Sequence, residues 1–276
     1  MDRPVITFLT DFGADSAAAI CRGVMLGIAR DAQIVDISHA VRKYAIRDGA
    51  YLLWSALPWM PVGVHVGVVD PGVGTSRLPI GIRTGRGDIL IGPDNGLLVP
   101  AATRLGGIVE VRALENRALM LPRTTSTFHG RDVFAPVAAH LAAGRSFAEV
   151  GQAVDPRAIV ELRFPDPSVT PGALDTSVVY VDSFGNLRLA GDRADLAAAV
   201  GPLDPGRPLV VTFAPLDGRP EIRETVPWAT TFGEVPVGRP LLYEDSFGRL
   251  AYADNQGDVA SRLGLGVDRP ARIVGA

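Results

Sequence analysis

The chain contains only one cysteine and one lysine, and these scarcities limit the kind of protein it can be. A single cysteine, Cys21, cannot form an internal disulfide, which favours a reducing compartment such as the cytoplasm. Lys43 is the only lysine, so the basic residues are almost all arginine, and they form no basic run. Because the formal net charge is −3, we expect neither a nucleic-acid-binding nor a membrane-binding surface.

Long apolar segments and metal-binding patterns are missing as well. No stretch reaches the roughly 18 apolar residues that a membrane-spanning helix needs, and the N-terminus lacks the apolar region of a secretory signal. The four histidines show no HExxH, paired-histidine or cysteine spacing. We therefore expect a cytoplasmic protein with no metal site and no bound cofactor.

What the 276 residues do contain is 47% apolar residues, enough for a large core. Residues 1–163 alternate β-rich runs with helical patterns, which is typical of a mostly parallel sheet covered by helices. The predicted strands are 5–9, 33–37, 64–69, 78–82 and 89–91. The predicted helices are 15–30, 46–57 and 133–143, the last with Pro136 in its first turn.

The pattern changes at residues 164–172, which contain three prolines and are predicted to be a domain linker. Residues 173–276 hold short β-rich runs separated by Gly, Pro and Asp. The predicted strands are 177–181, 209–213, 240–243 and 250–253, and the only helical stretch is 259–263. We therefore predict an α/β domain over 1–163 and a smaller all-β, barrel-like domain over 173–276.

The sequence DSFG occurs twice in this second half, at 182–185 and at 245–248. Two similar hairpin loops are one interpretation, and a common turn occurring twice by chance is the other. Both segments present an Asp, a Ser hydroxyl and backbone N–H groups, which suits an amino-acid-like ligand.

Polar chemistry is concentrated in three motifs at strand ends or in Gly-rich turns, where α/β folds build sites. They are TDFG at 10–13, VVDPGVGTSR at 68–77 and FHGRD at 128–132. Asp11 follows a predicted strand and could accept two hydrogen bonds from the diol of a ribose, or it could be an ordinary turn residue.

Asp70 and Arg77 stand on either side of a Gly-rich turn, close enough in sequence to form an ion pair. A buried carboxylate needs such a partner to stay ionised. His129 comes from a separate segment. Each of the three residues taken alone could be structural, as a salt bridge or as a histidine bonded to backbone. Together they form a group suited to activating a water molecule.

The motifs TDFG, DISHAV, VDPGVGTSR, PDNGLL, FHGRD and DSFGN, with a late SFGxL…NQG, occur in this order along nearly the whole chain. They resemble the S-adenosyl-L-methionine hydroxide adenosyltransferases, which are relatives of the bacterial fluorinase and chlorinase. The resemblance implies an N-terminal α/β domain, a C-terminal β-barrel domain and a homotrimer. It places each active site between the N-terminal domain of one subunit and the C-terminal domain of its neighbour.

The resemblance also implies roles for residues of the first domain. Asp11 should hold the ribose hydroxyls, Tyr44 should pack near the substrate, and Phe128 should line the reacting centre. Asp70, Arg77 and His129 fall on the three positions that mark the hydroxide-using members of the family. These positions would give residues 1–163 the nucleoside-binding and water-activating part of the site.

The second domain would carry the methionine and adenine contacts. Asp182 should receive the methionine ammonium group, with Ser246 on the carboxylate. Phe232 should pack on the adenine, and Asn186 and Asn255 fall where polar adenine or ribose contacts occur in the family.

Two departures from the halogenases bear on the nucleophile and on substrate binding. The fluorinase has tyrosines at the positions of Asp70 and His129 and a serine at that of Gly130, where the chlorinase also has glycine. The fixed anion of Asp70 should repel a halide. Phe247 stands where the fluorinase has an arginine that helps to bind the carboxylate, so methionine recognition should rest more on Ser246 and backbone amides.

The sequence therefore predicts hydrolysis of S-adenosyl-L-methionine to adenosine and L-methionine by water or hydroxide attack at C5′. His129 and Asp70 would orient the water and take its proton, while Arg77 keeps Asp70 ionised. Three alternatives remain open: a halide-using adenosyltransferase, a non-catalytic adenosine- or S-adenosyl-L-methionine-binding protein, and a metal-dependent phosphohydrolase or nuclease.

Overall fold

A computed structural model describes residues 3–276, which divide into two compact units. The first unit ends at Arg163, and the second comprises Phe164–Ala276. The segment 164–172, predicted to be a linker, belongs to the second unit and contains a short strand. Among the described residues, no helix is long and apolar enough to cross a membrane.

The first unit is built on a seven-stranded sheet. Its strands are β1 Val5–Thr10, β2 Gln33–Ser38, β3 Val64–Val68, β4 Pro79–Thr84, β5 Ile89–Pro93, β6 Ile108–Ala113 and β7 Ala153–Val154. Its α-helices are α1 Ala17–Ile28, α2 Ile46–Ala56, α3 Val99–Arg104 and α4 Ala135–Ala142. Three 3₁₀ turns cover Leu57–Trp59, Arg117–Leu119 and Phe147–Val150, and a π-helical turn covers Gly130–Phe134.

The strand order is β2-β1-β3-β5-β4-β6-β7, and the sheet is mixed rather than mostly parallel as predicted. The pairs from β2 to β5 are parallel, whereas those from β5 to β7 are antiparallel. The reason is the connection between β4 and β5, which consists only of residues 85–88. A parallel crossover needs a dozen or more residues, so this short turn forces a hairpin.

One core layer of the first unit lies between the parallel strands and the helices α1 and α4. Phe8 of β1 and Val66 of β3 are fully buried there. Helix α1 buries Ala18, Cys21 and Met25, whose spacing places them on one face. Burial raises the pKa of the Cys21 thiol to about 12, so this cysteine is protonated and inert at neutral pH.

Polar residues follow three neighbouring parallel strands at one edge of this sheet. Asp11 follows β1 directly, Asp70 lies just beyond β3 and Asn95 just beyond β5. The carboxyl ends of parallel strands meet at the same edge, which is where open α/β sheets bind ligands. Asn95 Nδ2 donates to the Val69 carbonyl at 2.8 Å and so ties two of these strand ends together.

The second unit is an antiparallel, barrel-like sheet, in agreement with the prediction. Its strands are β8 Ser168–Thr170, β9 Ala173–Val181, β10 Leu187–Leu189, β11 Pro208–Phe213, β12 Ile222–Pro227, β13 Pro240–Glu244, β14 Leu250–Asp254 and β15 Pro270–Gly275. Helices α5 Arg193–Val200 and α6 Val259–Leu263 and a 3₁₀ turn at Phe232–Glu234 complete the unit. The order is β12-β11-β15-β9-β10-β14-β13, with β8 beside β9.

The two ends of this second sheet approach each other. Trp228, just beyond β12, forms a parallel bridge with Leu242 of β13. The next residue, Ala229, donates its backbone N–H to the Leu242 carbonyl at 2.9 Å. This contact nearly closes the sheet on itself, which removes most of the exposed edge that an open sheet would present.

Candidate active site

The side chains of Asp70, Arg77 and His129 are in direct contact. Arg77 Nε donates to Asp70 Oδ1 at 3.0 Å, and Arg77 Nη2 donates to Asp70 Oδ2. The same Nη2 donates to His129 Nδ1 at 2.8 Å. The Arg77 and Asp70 side chains are only 10% and 5% exposed. Two segments that are distant in sequence therefore form one buried, charge-balanced group.

A glycine lets these two segments approach each other. Gly74, in the turn between Asp70 and Arg77, has φ +78°. A Cβ atom there would lie 2.3 Å from the Ser126 carbonyl oxygen, in the segment that leads to His129. Only glycine combines this close approach with this backbone conformation.

The π-helical turn after His129 is fixed by Asp132, whose side chain is fully buried. Asp132 Oδ2 accepts from the backbone N–H of Thr125 at 2.8 Å and from its hydroxyl at 2.7 Å, and Oδ1 accepts from Arg131 Nε at 2.6 Å. The Leu121 N–H donates to the Asp132 carbonyl at 3.0 Å. Asp132 thereby attaches the preceding loop to the turn that presents His129.

His129 is neutral, with its proton on Nε2. Burial lowers the pKa of the imidazole, and the Arg77 charge lowers it further, against the opposing effect of Asp70. Because the guanidinium is only a donor, Nδ1 must accept, and the neutral ring then carries its proton on Nε2. In this state Nε2 can donate a hydrogen bond to a water molecule, but it cannot take a proton from one.

Asp11 and Tyr44 are also in contact, through the backbone. The Tyr44 N–H donates to Asp11 Oδ2 at 2.9 Å. Tyr44 has φ +67°, and its side chain is 69% exposed. The Thr10 hydroxyl bonds His39 Nδ1 at 2.9 Å, which also ties the end of β1 to the loop after β2. Among the described residues, no donor bonds Asp11 Oδ1.

Aromatic residues surround Gly130. The rings of Phe12 and Phe128 pack edge to face with centroids 5.8 Å apart. A Cβ atom at position 130 would lie 2.9 Å from Phe12 Cζ, so the glycine is needed for this packing. Phe12 was not among the predicted site residues, although it lies inside the TDFG motif.

The second unit has a cavity of about 930 Å³. Of the predicted substrate contacts, Asp182, Asn186, Phe232 and Ser246 line it. Asn255 does not: it is buried, and its side-chain Nδ2 donates to the Val235 carbonyl at 2.7 Å. Five carboxylate side chains and a single guanidinium line the cavity, so its lining has an excess of negative charge.

The two DSFG segments form the same hairpin loop, which confirms the first interpretation of the repeat. In each loop the aspartate Oδ1 accepts from the backbone N–H groups two and four residues later, at 2.8 to 2.9 Å. Gly185 and Gly248 have φ of +78° and +79°. The loops connect β9 to β10 and β13 to β14.

Arg188 of β10 joins the two loops. Its Nη2 donates to Asp182 Oδ2 at 2.9 Å, its Nη1 donates to the Tyr243 hydroxyl oxygen at 2.8 Å, and its Nε lies 3.3 Å from Asp245 Oδ2. Asp182 Oδ2 also accepts from Asn186 Nδ2 at 3.0 Å. Arg188 was not among the predicted site residues. Its only distinguishing feature in the sequence is a charge between two leucines of a short strand.

Comparison with protein families gives two matches that together span most of the chain. The family described as SAM hydroxide adenosyltransferase N-terminal domain matches residues 6–151, and the corresponding C-terminal domain matches residues 176–272.

Individual relatives agree with these matches. The chain is 43% identical over 265 residues to the (R)-S-adenosyl-L-methionine hydrolase of Salinispora arenicola, covering 95% of this chain and 94% of the relative. It is 30% identical over 286 residues to a fluorinase of Actinoplanes sp., covering 94% and 93%. A crystal structure of an uncharacterized conserved protein from Thermotoga maritima has a TM-score of 0.88 at 33% identity, covering 98% and 99%.

Proposed function

Because the chain belongs to the SAM hydroxide adenosyltransferase family, we propose that it hydrolyses S-adenosyl-L-methionine to adenosine and L-methionine. The contact between Asp70, Arg77 and His129 is the observation that carries this proposal. The similar hydrolases from Salinispora arenicola and Thermus thermophilus are named for the (R) form of the substrate, which we propose here as well.

The reaction is a displacement at the ribosyl C5′ carbon. A bond forms between the water oxygen and C5′, the C5′–sulfur bond breaks, and its electron pair leaves with the neutral thioether of methionine. The attacking water becomes a protonated alcohol, which is far more acidic than water. A carboxylate is therefore a sufficient base once the carbon–oxygen bond has begun to form.

We propose that two residues divide this task. His129 Nε2–H donates a hydrogen bond to the water oxygen and orients it, because Nδ1 is occupied by Arg77. Asp70 accepts a hydrogen bond from the water and then its proton. Arg77 holds the Asp70 carboxylate in place through two hydrogen bonds. This assigns the proton to Asp70 alone rather than to Asp70 and His129 together.

The remaining substrate contacts are those that the family resemblance implies, and the charges of the residues present support them. Asp11 Oδ1 would accept from a ribose hydroxyl, and Phe128 would keep solvent from the reacting carbon. In the second unit the excess of carboxylates suits a substrate that carries a sulfonium cation. Asp182 would face the ammonium group and Phe232 the adenine.

Ser246, Asn186 and Tyr44 keep the contacts that the family resemblance gives them. Ser246 would bind the carboxylate, and Asn186 would bind the adenine or ribose from the cavity wall. Tyr44 would pack near the substrate. Asn255, which bonds Val235, would act by holding the segment that carries the adenine-packing phenylalanine.

We further propose that the protein is a cytoplasmic homotrimer with the site shared between subunits, as the resemblance implies. Helix α1 offers a surface for such contacts, because Ile20 and Leu26 are 42% and 45% exposed. The neighbouring positions Gly23 and Gly27 would meet no other atom if they carried a Cβ. Light scattering should give three times the 29.1 kDa chain mass, and a monomer active at high dilution would contradict a shared site.

The decisive experiment uses isotopically labelled water. Purified protein incubated with S-adenosyl-L-methionine in H₂¹⁸O should give adenosine with the label on the 5′-oxygen, and adenosine without it would reject solvent attack. The (R) and (S) sulfonium forms are assayed separately. Added chloride yielding 5′-chloro-5′-deoxyadenosine, stoichiometric binding without turnover, or inactivation by a chelator would each establish a different function.

A further inference from the structure

Tyr243 carries a hydrogen-bond donor in the second-unit cavity that the predicted contacts do not use. Its oxygen accepts from Arg188 Nη1 at 2.8 Å, so its own proton must point elsewhere. Within residues 3–276, no atom accepts a hydrogen bond from this hydroxyl. The residue is 8% exposed and lines the cavity. The proton is therefore available to an acceptor in the cavity, such as a bound ligand.

The surroundings keep this hydroxyl neutral and strengthen it as a donor. Burial raises the pKa of Tyr243, and the nearby Arg188 charge offsets only part of that effect. The proton therefore stays on the oxygen at neutral pH. Because the oxygen accepts from a charged guanidinium, the O–H bond is polarised, and it donates more strongly than an isolated phenol.

Arg188 also sets the distance between Tyr243 and Asp182. Its two terminal nitrogens bond one residue each, Nη1 to Tyr243 at 2.8 Å and Nη2 to Asp182 at 2.9 Å. The ammonium and carboxylate groups of an α-amino acid are attached to one carbon, so their binding partners must be neighbours. A carboxylate acceptor and a hydroxyl donor fixed by one guanidinium form such a pair.

We propose that Tyr243, oriented by Arg188, donates a hydrogen bond to the α-carboxylate at the amino-acid end of the substrate. The inference rests on the proposed function and deepens it. The side chain of Phe247 carries no positive charge that could bind this carboxylate. Tyr243 offers a hydroxyl donor that is bonded to the charged guanidinium of Arg188. Together with the Ser246 hydroxyl it would distinguish a complete amino acid from its decarboxylated form.

The test compares two substrates in wild type and Tyr243→Phe, which keeps the ring that packs against Phe232 with centroids 5.0 Å apart. With S-adenosyl-L-methionine, KM should rise about 10- to 100-fold with kcat nearly unchanged, as for the loss of a hydrogen bond to a charged group. With the decarboxylated sulfonium, the two proteins should agree within about threefold. Equal losses with both substrates, or no loss with either, would overturn the assignment.

Tyr252→Phe is the matched control. Tyr252 lies in the same barrel, is fully buried and donates its hydroxyl to Glu224. This variant should show the wild-type preference for the carboxylated substrate. If it changes that preference as Tyr243→Phe does, a general effect of removing a barrel hydroxyl is responsible and the assignment fails. If wild type binds S-adenosyl-L-methionine without hydrolysing it, the proposed reaction is wrong, and dissociation constants then replace KM in the same comparison.

Discussion

Replacing Arg77 by methionine should destabilise the protein much more than replacing Arg77 and Asp70 together. The Asp70 side chain is 5% exposed, and Arg77 donates two hydrogen bonds to its carboxylate. Removing one partner of a buried ion pair leaves an uncompensated charge and costs about 3–5 kcal/mol. That is a large part of the ~5–15 kcal/mol by which a domain is usually stable.

The double variant Asp70→Asn/Arg77→Met removes the charge as well as its partner. Methionine keeps apolar contact with Phe134, over whose ring the Arg77 guanidinium lies at 5.4 Å. Replacing both members of a buried pair is often close to neutral, so we expect most of the lost stability to return. Turnover should not return, because the base is gone, and a loss of about 10²–10⁴-fold is usual for that.

Urea unfolding followed by tryptophan fluorescence and a turnover assay measure the two effects separately. The coupling energy from the double-mutant cycle should be about 2–4 kcal/mol. Equal unfolding free energies for the single Arg77 variant and the double variant would show that the ion pair does not stabilise the unit. A double variant with wild-type turnover would show that Asp70 is not the base.

Three further outcomes follow from the same group of residues. As pH falls, kcat/KM should stay constant through the usual histidine pKa of ~6.5 and decline only below it, because the pKa of His129 is lowered. Arg77→Met removes one of the causes that lower this pKa, so the decline should move to higher pH. Gly130→Ala should slow turnover and lower the unfolding free energy by ~1–2 kcal/mol, since overpacking against Phe12 at 2.9 Å costs ~1–3 kcal/mol and alanine returns up to ~1 through helix propensity. Asp132→Asn should weaken the bonds to Thr125 and Arg131 and lower kcat more than substrate affinity, as measured by steady-state kinetics. Unchanged turnover in Gly130→Ala or in Asp132→Asn, or a wild-type pH profile in Arg77→Met, would contradict the corresponding contact.

The contact between Asp70 and Arg77 could be predicted from the sequence because one local motif carries both residues. Asp70 and Arg77 share one turn, and their pairing follows from a short loop at the end of an apolar strand. That His129 joins them required only the family pattern. The prediction of a mostly parallel sheet was wrong because it did not use the length of the connection between β4 and β5, whose four residues allow only a hairpin.

The residues missed in the second unit depend on register and not on local pattern. Arg188 reaches Asp245 only because β10 pairs with β14 and aligns the two hairpins side by side. Nothing local to residue 188 encodes that alignment. Helix α5 was missed because its apolar residues do not form one face, and its capping box at Asp192 and Asp195 was the signal available. Strands β6 and β15 were not predicted either, although apolar and polar residues alternate along parts of both.

The charges of the two clusters argue for water as nucleophile and against chloride. In the first unit, Asp70, Arg77 and a neutral His129 sum to zero, so the group has no net positive charge with which to hold an anion. In the second unit, Arg188 is shared between two aspartates, leaving a net negative charge. A negative lining attracts a sulfonium and repels a halide. Changing Asp70 alone to asparagine would make the first cluster positive, so this variant is where chloride should compete, detectable as 5′-chloro-5′-deoxyadenosine.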